Sequence, residues 1–269
     1  MTTETPTLDP ELVADLAVRA GHVSRRDAMR RTATLGAALA ASPLALAALA
    51  KDANAQTASD VSDVLMFALT LEHLEYEFYV QGVNTNGLIP ASERPLFEVI
   101  RDHEGDHIRF LQSALGLTQG VGEGSAGRPA KGFDFTAGGS LNTFQSYQTF
   151  LAVSQGLEDT GVRAYKGQAP RLINNDDVLT AALQIHSVEA RHASAVRRIR
   201  GKKGWITGRT TDTAAIQATY NGEENVTQGG VNLQTALGSM YSTDAITEAF
   251  DEPLTKQAVL DIAGVFIRS

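Results

Sequence analysis

The feature that most constrains the fold of this chain is a short motif, Glu-x-x-His, that occurs twice. The motif stands at Glu104–His107 and again at Glu189–His192. On a helix, residues three apart are separated by about 60° around the axis and about 4.5 Å along it, so both side chains point into one groove. A carboxylate and an imidazole placed in this way on a buried face can bind the same transition metal ion. Each motif therefore predicts a helix that supplies ligands to a metal site.

Each motif is preceded along the chain by a segment in which a Glu stands seven residues before a Tyr. The two pairs are Glu72 with Tyr79 and Glu158 with Tyr165. The single Glu precedes its Glu-x-x-His by 32 residues in the first half of the chain and by 31 in the second. The sequence thus predicts two similar helix hairpins. Four carboxylates and two imidazoles that face one bundle core form the ligand set of a dinuclear carboxylate centre.

The apolar periodicity predicts one long helix for each of these segments. The predicted bounds are, in chain order, residues 59–81, 92–116, 140–167 and 175–201. Residues 117–139 are rich in Gly and long enough to carry the chain along the full bundle, whereas the other two connections are short. We therefore expect an all-α four-helix bundle in which two antiparallel hairpins are joined by one long crossover. The bundle domain is placed at residues 56–201.

Beyond residue 201 the helical pattern weakens, and residues 202–269 are expected to pack on the bundle as an extension. Gly204-Trp205-Ile206 and the polar stretch up to Gly230 are interpreted as loop. A short helix is predicted over Thr243–Phe250. A second helix is predicted to open at Asp251-Glu252-Pro253, with Pro in its first turn, and to end near Phe266.

Residues close to the motifs add candidates for the site. Glu75 lies one turn after Glu72, so it is a candidate metal ligand or an acceptor for a ligand histidine. Tyr79 and Tyr165 are candidates for catalytic roles: they could hydrogen-bond the ligands or take up oxidising equivalents, and ordinary core packing is the alternative. Glu104 and Glu189 are expected to bridge the two metals and to be catalytic residues.

Three other histidines are placed outside the ligand set. His186, one turn before Glu189, is expected to support the ligands or to have a structural role. His73 and His103 are expected to point to other faces of their helices and to be exposed to solvent.

The composition limits the kinds of site that this chain can form. The chain has no Cys, which excludes disulfides, thiolate metal sites and iron–sulfur clusters and leaves only nitrogen and oxygen ligands. Its formal net charge of −8 argues against nucleic acid as a partner.

Residues 1–55 are interpreted as a twin-arginine-type signal peptide. The stretch Ser24–Arg30 contains the arginine pair, residues 32–50 form an Ala- and Leu-rich run, and Ala53-Asn54-Ala55 offers a small-x-small cleavage site. The mature chain is then expected to begin at Gln56, without a stable membrane span, in the periplasm or cell envelope. An uncleaved anchor and an amphipathic helix of a cytosolic protein are the alternatives.

At these residues the sequence resembles the ferritin-like superfamily, which includes bacterioferritin, rubrerythrin and manganese catalase. More narrowly, it resembles exported ferritin-like domain proteins related to desiccation-related proteins. The resemblance covers roughly residues 59–267 and rests on the segments 67–79, 156–165, 188–192 and 249–254. It implies a ferritin-like bundle with six ligand positions, which are Glu72, Glu104, His107, Glu158, Glu189 and His192.

The resemblance also implies what such a protein does. Two Fe or Mn ions are the expected cofactors, and O₂ or H₂O₂ is the expected small-molecule substrate. The reaction would be oxidation of Fe²⁺ or consumption of O₂ or H₂O₂, as in a ferroxidase, peroxidase or catalase. The alternative is a non-enzymatic stress- or desiccation-related protein of the envelope with a structural or vestigial metal site. A homo-oligomer is compatible with the sequence, and a hollow iron-storage cage is disfavoured by the leader and the C-terminal extension.

Overall fold

The computed structural model describes residues 58–268, and the expected signal peptide lies outside these residues. Four long helices dominate this part of the chain: α1 (Ala58–Asn84), α2 (Arg94–Ala114), α3 (Tyr147–Gln168) and α4 (Asp176–Ile199). A 3₁₀-helix, Ala169–Leu172, stands between α3 and α4. The prediction of an all-α bundle is confirmed. None of the helices within the described residues has both the length and the apolar character needed to cross a bilayer.

The directions of the helices follow from the contacts at their ends. α1 packs chiefly against α2, and α3 against α4. Phe97 in the first turn of α2 and Phe150 in the first turn of α3 lie edge to face, with their ring centroids 5.1 Å apart. Helices α2 and α3 therefore start at the same end of the bundle and run in the same direction. The crossover between them, residues 115–146, must travel the length of the bundle.

Local sequence signals account for several helix ends. Asn175 caps α4, where its side chain accepts a hydrogen bond from the backbone N–H of Val178. Pro95 lies in the first turn of α2, where its missing N–H costs nothing. Gly201, just after α4, has a positive φ of 70°, which suits a helix C-terminus.

Gly82 does not end α1 as the sequence analysis expects, because the helix continues to Asn84. A Cβ atom at Gly82 would lie 2.3 Å from the Phe150 ring. The glycine thus permits a close approach of α3 and is not a stop signal.

The predicted start of the third helix is also wrong, since α3 begins at Tyr147 and not at residue 140. The hydroxyl of Thr143 donates to the carbonyl of Phe135 at 2.6 Å and holds the preceding segment in a turn. Ser146 has an extended backbone and caps α3 by accepting from the N–H of Thr149.

Two apolar clusters fill the two ends of the bundle, and the polar site lies between them. The first is rich in aromatic rings and takes in residues from the crossover and the C-terminal extension; its largest buried members are Phe67, Phe78, Tyr79, Phe97, Phe133, Phe135, Phe150 and Phe266. The second is largely aliphatic and includes Leu65, Leu69, Ile108, Leu111, Leu172 and Ile185. Packing of this kind supplies the main stabilisation of the bundle, at about 25 cal/mol for each Å² of apolar surface buried.

The C-terminal extension consists of short elements. They are a 3₁₀-helix Ala214–Tyr220, strands β1 (Thr227–Gln228) and β2 (Val231–Asn232), α5 (Leu233–Leu237), a 3₁₀-helix Gly238–Met240, α6 (Thr243–Thr247) and α7 (Lys256–Ala263). The strands pair antiparallel, with Gln228 opposite Val231. The intervening Gly229 and Gly230 both have positive φ, as a two-residue hairpin turn requires. The prediction of loop up to Gly230 is therefore wrong for the 3₁₀-helix Ala214–Tyr220 and for β1.

A buried arginine on α3 anchors the extension to the bundle. Arg163 is 1% exposed, pairs with Glu223 at 2.8 Å and donates to the carbonyl of Glu252 at 2.7 Å. The N–H of Glu252 in turn donates to Glu223 at 3.0 Å, and the N–H of Leu254 donates to the carbonyl of Arg163 at 3.1 Å.

These bonds explain why the predicted helix start at residues 251–253 is wrong. The carbonyl of Glu252, which a helix that opened here would use for its own first hydrogen bond, accepts instead from Arg163. The N–H groups of Glu252 and Leu254 fasten the same segment to Glu223 and to α3. Instead α7 begins at Lys256, with Thr255 as its cap. Similarly, α6 ends at Thr247, three residues before the predicted end.

Candidate metal centre

Four glutamates meet at the middle of the bundle, one from each long helix. Glu72 comes from α1, Glu104 from α2, Glu158 from α3 and Glu189 from α4, and each is 0% exposed. Apolar clusters lie on both sides along the bundle axis. The site is therefore a cluster of carboxylates in an environment that strongly disfavours uncompensated charge.

The glutamates and the two motif histidines form two overlapping groups, in each of which the candidate ligand atoms all lie within 4.8 Å of one another. The first group is Glu72, Glu104, His107 and Glu189, and the second is Glu104, Glu158, Glu189 and His192. Two residues, Glu104 and Glu189, belong to both groups. The structure thus brings together the six residues that the sequence motifs single out.

In the first group, the Nδ1 atom of His107 faces three carboxylates. It lies 3.0 Å from Oε2 of Glu72 and 3.0 Å from Oε2 of Glu104. Oε1 of Glu189 is 3.3 Å away. One imidazole nitrogen and three carboxylate oxygens therefore surround one point.

The second group repeats this arrangement around His192. Its Nδ1 lies 2.8 Å from Oε1 of Glu104 and 3.3 Å from Oε2 of Glu158. Neither approach has the geometry of a hydrogen bond, so these three atoms are buried without a hydrogen-bond partner among the described residues, as are both carboxylate oxygens of Glu189.

This set of atoms fits a bound cation. Buried polar atoms in proteins are rarely left unsatisfied, because each costs free energy. The unsatisfied atoms here converge, and they are carboxylate oxygens and imidazole nitrogens. That donor set suits divalent Fe, Mn or Zn.

The carboxylates perturb one another and the histidines between them. Burial, together with repulsion from Glu104, raises the pKa of Glu189 well above its usual range, and burial also raises the pKa of Glu104. Burial opposes the charged form of His192, but attraction to Glu158 and Glu104 raises its pKa to about 11. Burial alone would raise the pKa of Glu72, yet attraction to His107 lowers it overall.

Two tyrosines connect α1 and α3 by hydrogen bonds to the glutamates that belong to only one ligand group each, Glu158 and Glu72. The hydroxyl of Tyr79 on α1 donates to Oε1 of Glu158 on α3, and that of Tyr165 on α3 donates to Oε1 of Glu72 on α1. Burial raises the pKa of both phenols well above the usual value, so both stay protonated and remain donors. Since Oε1 is occupied in each glutamate, Oε2 is left to face the histidine.

Glu75 is buried beside the two groups but belongs to neither of them. A Cβ atom at Gly161 would lie 3.0 Å from Oε2 of Glu189 and 3.2 Å from Oε1 of Glu75. The glycine therefore leaves room for both carboxyl groups on the α3 side. Burial and repulsion from Glu189 raise the pKa of Glu75 well above its usual range. Metal ligation by Glu75 stays a prediction.

The expectation that His73 is exposed is wrong, because the residue is fully buried. Its Nε2 lies 3.1 Å from the carbonyl oxygen of Ala126, so the ring holds the crossover against α1. His186 is half-buried on α4, where burial and the nearby Lys166 lower its pKa.

His103 is exposed, as expected, but it is not remote from the site. Its Nδ1 lies 3.0 Å from Nε2 of His192. Sequence reasoning missed this contact because it joins two helices that are far apart in the chain. The only local signal was the position of His103 immediately before Glu104.

A four-helix bundle with a long crossover and a central Glu/His cluster is an architecture in which carboxylate-bridged metal centres occur. A family model described as a ferritin-like domain matches residues 60–202. The chain therefore belongs to the ferritin-like domain family, and the resemblance seen in the sequence is confirmed at that level. No curated protein sequence matches the chain. The narrower kinship with desiccation-related proteins stays a prediction.

The raised pKa values predict how the stability of the metal-free protein depends on pH. Glu189 and His192 bind their protons more tightly in the folded chain than in the unfolded one, where His192 has a pKa of 6.5 and not about 11. The stability that they contribute is thus present at low pH and is lost as pH rises through the folded pKa values. We expect the Tm of the metal-free protein, measured by circular dichroism, to fall across the window from 6.5 to about 11.

The matched control for this experiment is His192→Gln, which should flatten the profile because the titrating imidazole is removed. With Mn²⁺ bound, the ions replace the protons, so the fall should also be reduced. A metal-free wild-type Tm that stays constant or rises over the same window would contradict the electrostatic description.

Proposed function

We propose that this protein is a dinuclear metal carboxylate protein that binds two Fe²⁺ or Mn²⁺ ions and consumes O₂ or H₂O₂. The observation that carries the proposal is the pair of overlapping ligand groups that share Glu104 and Glu189. Shared carboxylates are what two adjacent ions require, whereas a mononuclear site needs only one of the groups.

Each residue has a defined place in this proposal. Glu72 with His107 would complete one ion's ligands, and Glu158 with His192 would complete the other's. Four carboxylates offset the charge of two divalent ions. The bound ions would supply the redox change and the Lewis acidity that reduction of O₂ or H₂O₂ requires.

The protein's own contribution is to hold these groups rigidly and to exclude bulk water. The four glutamates are fully buried, and the two tyrosine hydroxyls fix Glu158 and Glu72 in place. Geometry held in this way reduces the rearrangement needed when the charge of the site changes. A further role of Tyr79 and Tyr165 as oxidisable groups stays a prediction.

An apolar cleft beside the site supports O₂ as a substrate. The cleft offers about 20 Å³ of space to the centre of a water-sized molecule. All four long helices contribute to it, through residues such as Leu65, Ala68, Phe110, Leu111, Ala182 and Ile185. Tyr165 also lines the cleft, and its hydroxyl donates to Glu72. An apolar cleft of this kind suits O₂ better than H₂O₂, which loses hydrogen bonds when it leaves water.

The test combines metal titration with measurement of oxidant consumption. Calorimetric titration of the metal-free wild type with Mn²⁺, and with Fe²⁺ under anaerobic conditions, should give about two ions per chain. The Fe²⁺-loaded protein should then consume O₂ or H₂O₂. The Glu189→Ala variant should no longer bind two metal ions side by side or consume O₂ or H₂O₂, because a shared ligand is removed.

Glu98→Ala is the matched control, since Glu98 lies on α2 outside the ligand groups and pairs with Arg94 on the surface. It should behave as the wild type. Absence of ion binding by folded wild type would contradict the proposed site. Two bound ions without consumption of either oxidant would instead favour the non-enzymatic reading, in which the metals have a structural role.

The proposal places the protein in the periplasm or cell envelope, on the strength of the signal-like residues 1–55. N-terminal sequencing of the protein from an envelope fraction should start at Gln56, and replacement of Arg25 and Arg26 by Lys should retain the precursor in the cytoplasm. A sequence that starts at residue 1 or 2 would contradict cleavage, and unchanged export of the double variant would indicate a different route.

A further inference from the structure

The contact between His103 and His192 distinguishes the two halves of the site. The distance from Nδ1 of His103 to Nε2 of His192 is 3.0 Å. The two ring planes are 17° from parallel, with their centroids 5.2 Å apart. His192 thus has one nitrogen directed at the carboxylates and the other hydrogen-bonded to an imidazole at the surface.

This hydrogen bond bears on which nitrogen of His192 is free to bind metal. To ligate through Nδ1, the ring must keep a lone pair on Nδ1 and carry its proton on Nε2. Nδ1 of His103 can accept that proton's hydrogen bond, so it selects this tautomer and also fixes the plane of the ring. Such outer partners of ligand histidines typically change metal affinity by about 10–100-fold.

The other half of the site has no equivalent support. Nδ1 of His107 faces the carboxylates, but no group in residues 58–268 hydrogen-bonds its Nε2. The reason is visible in the repeat itself. His103 directly precedes Glu104, whereas the residue that directly precedes Glu189 is Val188. Valine cannot accept a hydrogen bond, so the pseudo-symmetric partner is missing.

We propose that His103 is a positioning residue that makes the two metal positions unequal. His103 holds His192 in the tautomer and orientation that metal binding needs. The metal affinity of the position formed by Glu158 and His192 is therefore higher than that of the position formed by Glu72 and His107. The two ions then bind in a fixed order. This inference rests on the proposed dinuclear function and adds to it the order in which the site fills.

The experiment is a titration of the metal-free full-length protein with Mn²⁺, in which free Mn²⁺ is followed by electron paramagnetic resonance. The wild type should show two steps whose Kd values differ by about 10-fold or more. His103→Ala should weaken the tighter step by about 10–100-fold and leave the weaker step unchanged. His103→Asn should restore much of the difference, because the Asn amide oxygen can accept at nearly the position of Nδ1.

Two kinds of control assign the effect to one position. Val188→Ala, at the equivalent place in the second motif, should leave both steps unchanged. In a Glu72→Gln background, the remaining ion should still be weakened by His103→Ala, whereas in a Glu158→Gln background the remaining ion should not respond. Thermal melts by circular dichroism confirm that each variant is folded.

The outcomes separate this inference from the proposed function. Two ions bound with equal Kd values, or an equal weakening of both steps by His103→Ala, would overturn the inference and leave the dinuclear site intact. Failure of His103→Asn to restore any affinity would contradict the hydrogen-bond mechanism. A folded wild type that binds no Mn²⁺ or Fe²⁺ would overturn both proposals.

Discussion

Four carboxylates buried at the centre of an apolar bundle are the constraint on which this structure depends. Removing each charge from water costs several kcal/mol even after relaxation. Two histidines can offset at most two of the four charges, and hydrogen bonds from Tyr79 and Tyr165 stabilise only the outer oxygens of two glutamates. Two divalent ions, bound with both histidines in their neutral form, would balance all four carboxylate charges, so metal binding and folding are expected to be linked.

The rest of the chain shields this centre from water and holds its helices in place. The crossover and α7 supply residues to the aromatic cluster at one end of the bundle. On the far side of α3, Asp159 follows the candidate ligand Glu158 and pairs with Arg197 of α4, while the hydroxyl of Tyr220 donates to the same carboxylate at 2.6 Å. The C-terminal extension thereby fixes α3 against α4 directly behind the ligands.

Local patterns predicted the four helices and the convergence of six Glu and His side chains, because helical periodicity alone places Glu and His of each motif on one buried face. The features that were missed all depend on contacts between distant segments. His73 is buried because the crossover lies over it, and Gly82 continues a helix because Phe150 approaches it. The start of α7 is delayed because Arg163 and Glu223 engage the preceding backbone. None of these partners can be identified from the residues adjacent in sequence.

The most direct measurement is a crystal structure of the Mn²⁺-loaded protein in which anomalous scattering locates the ions. We predict two anomalous-scattering peaks about 3.5–4 Å apart, one beside Glu72 and His107 and the other beside Glu158 and His192. Glu104 and Glu189 should contact both. A folded bundle with a single peak, or with none between these residues, would contradict the claim that this centre is built for two metal ions.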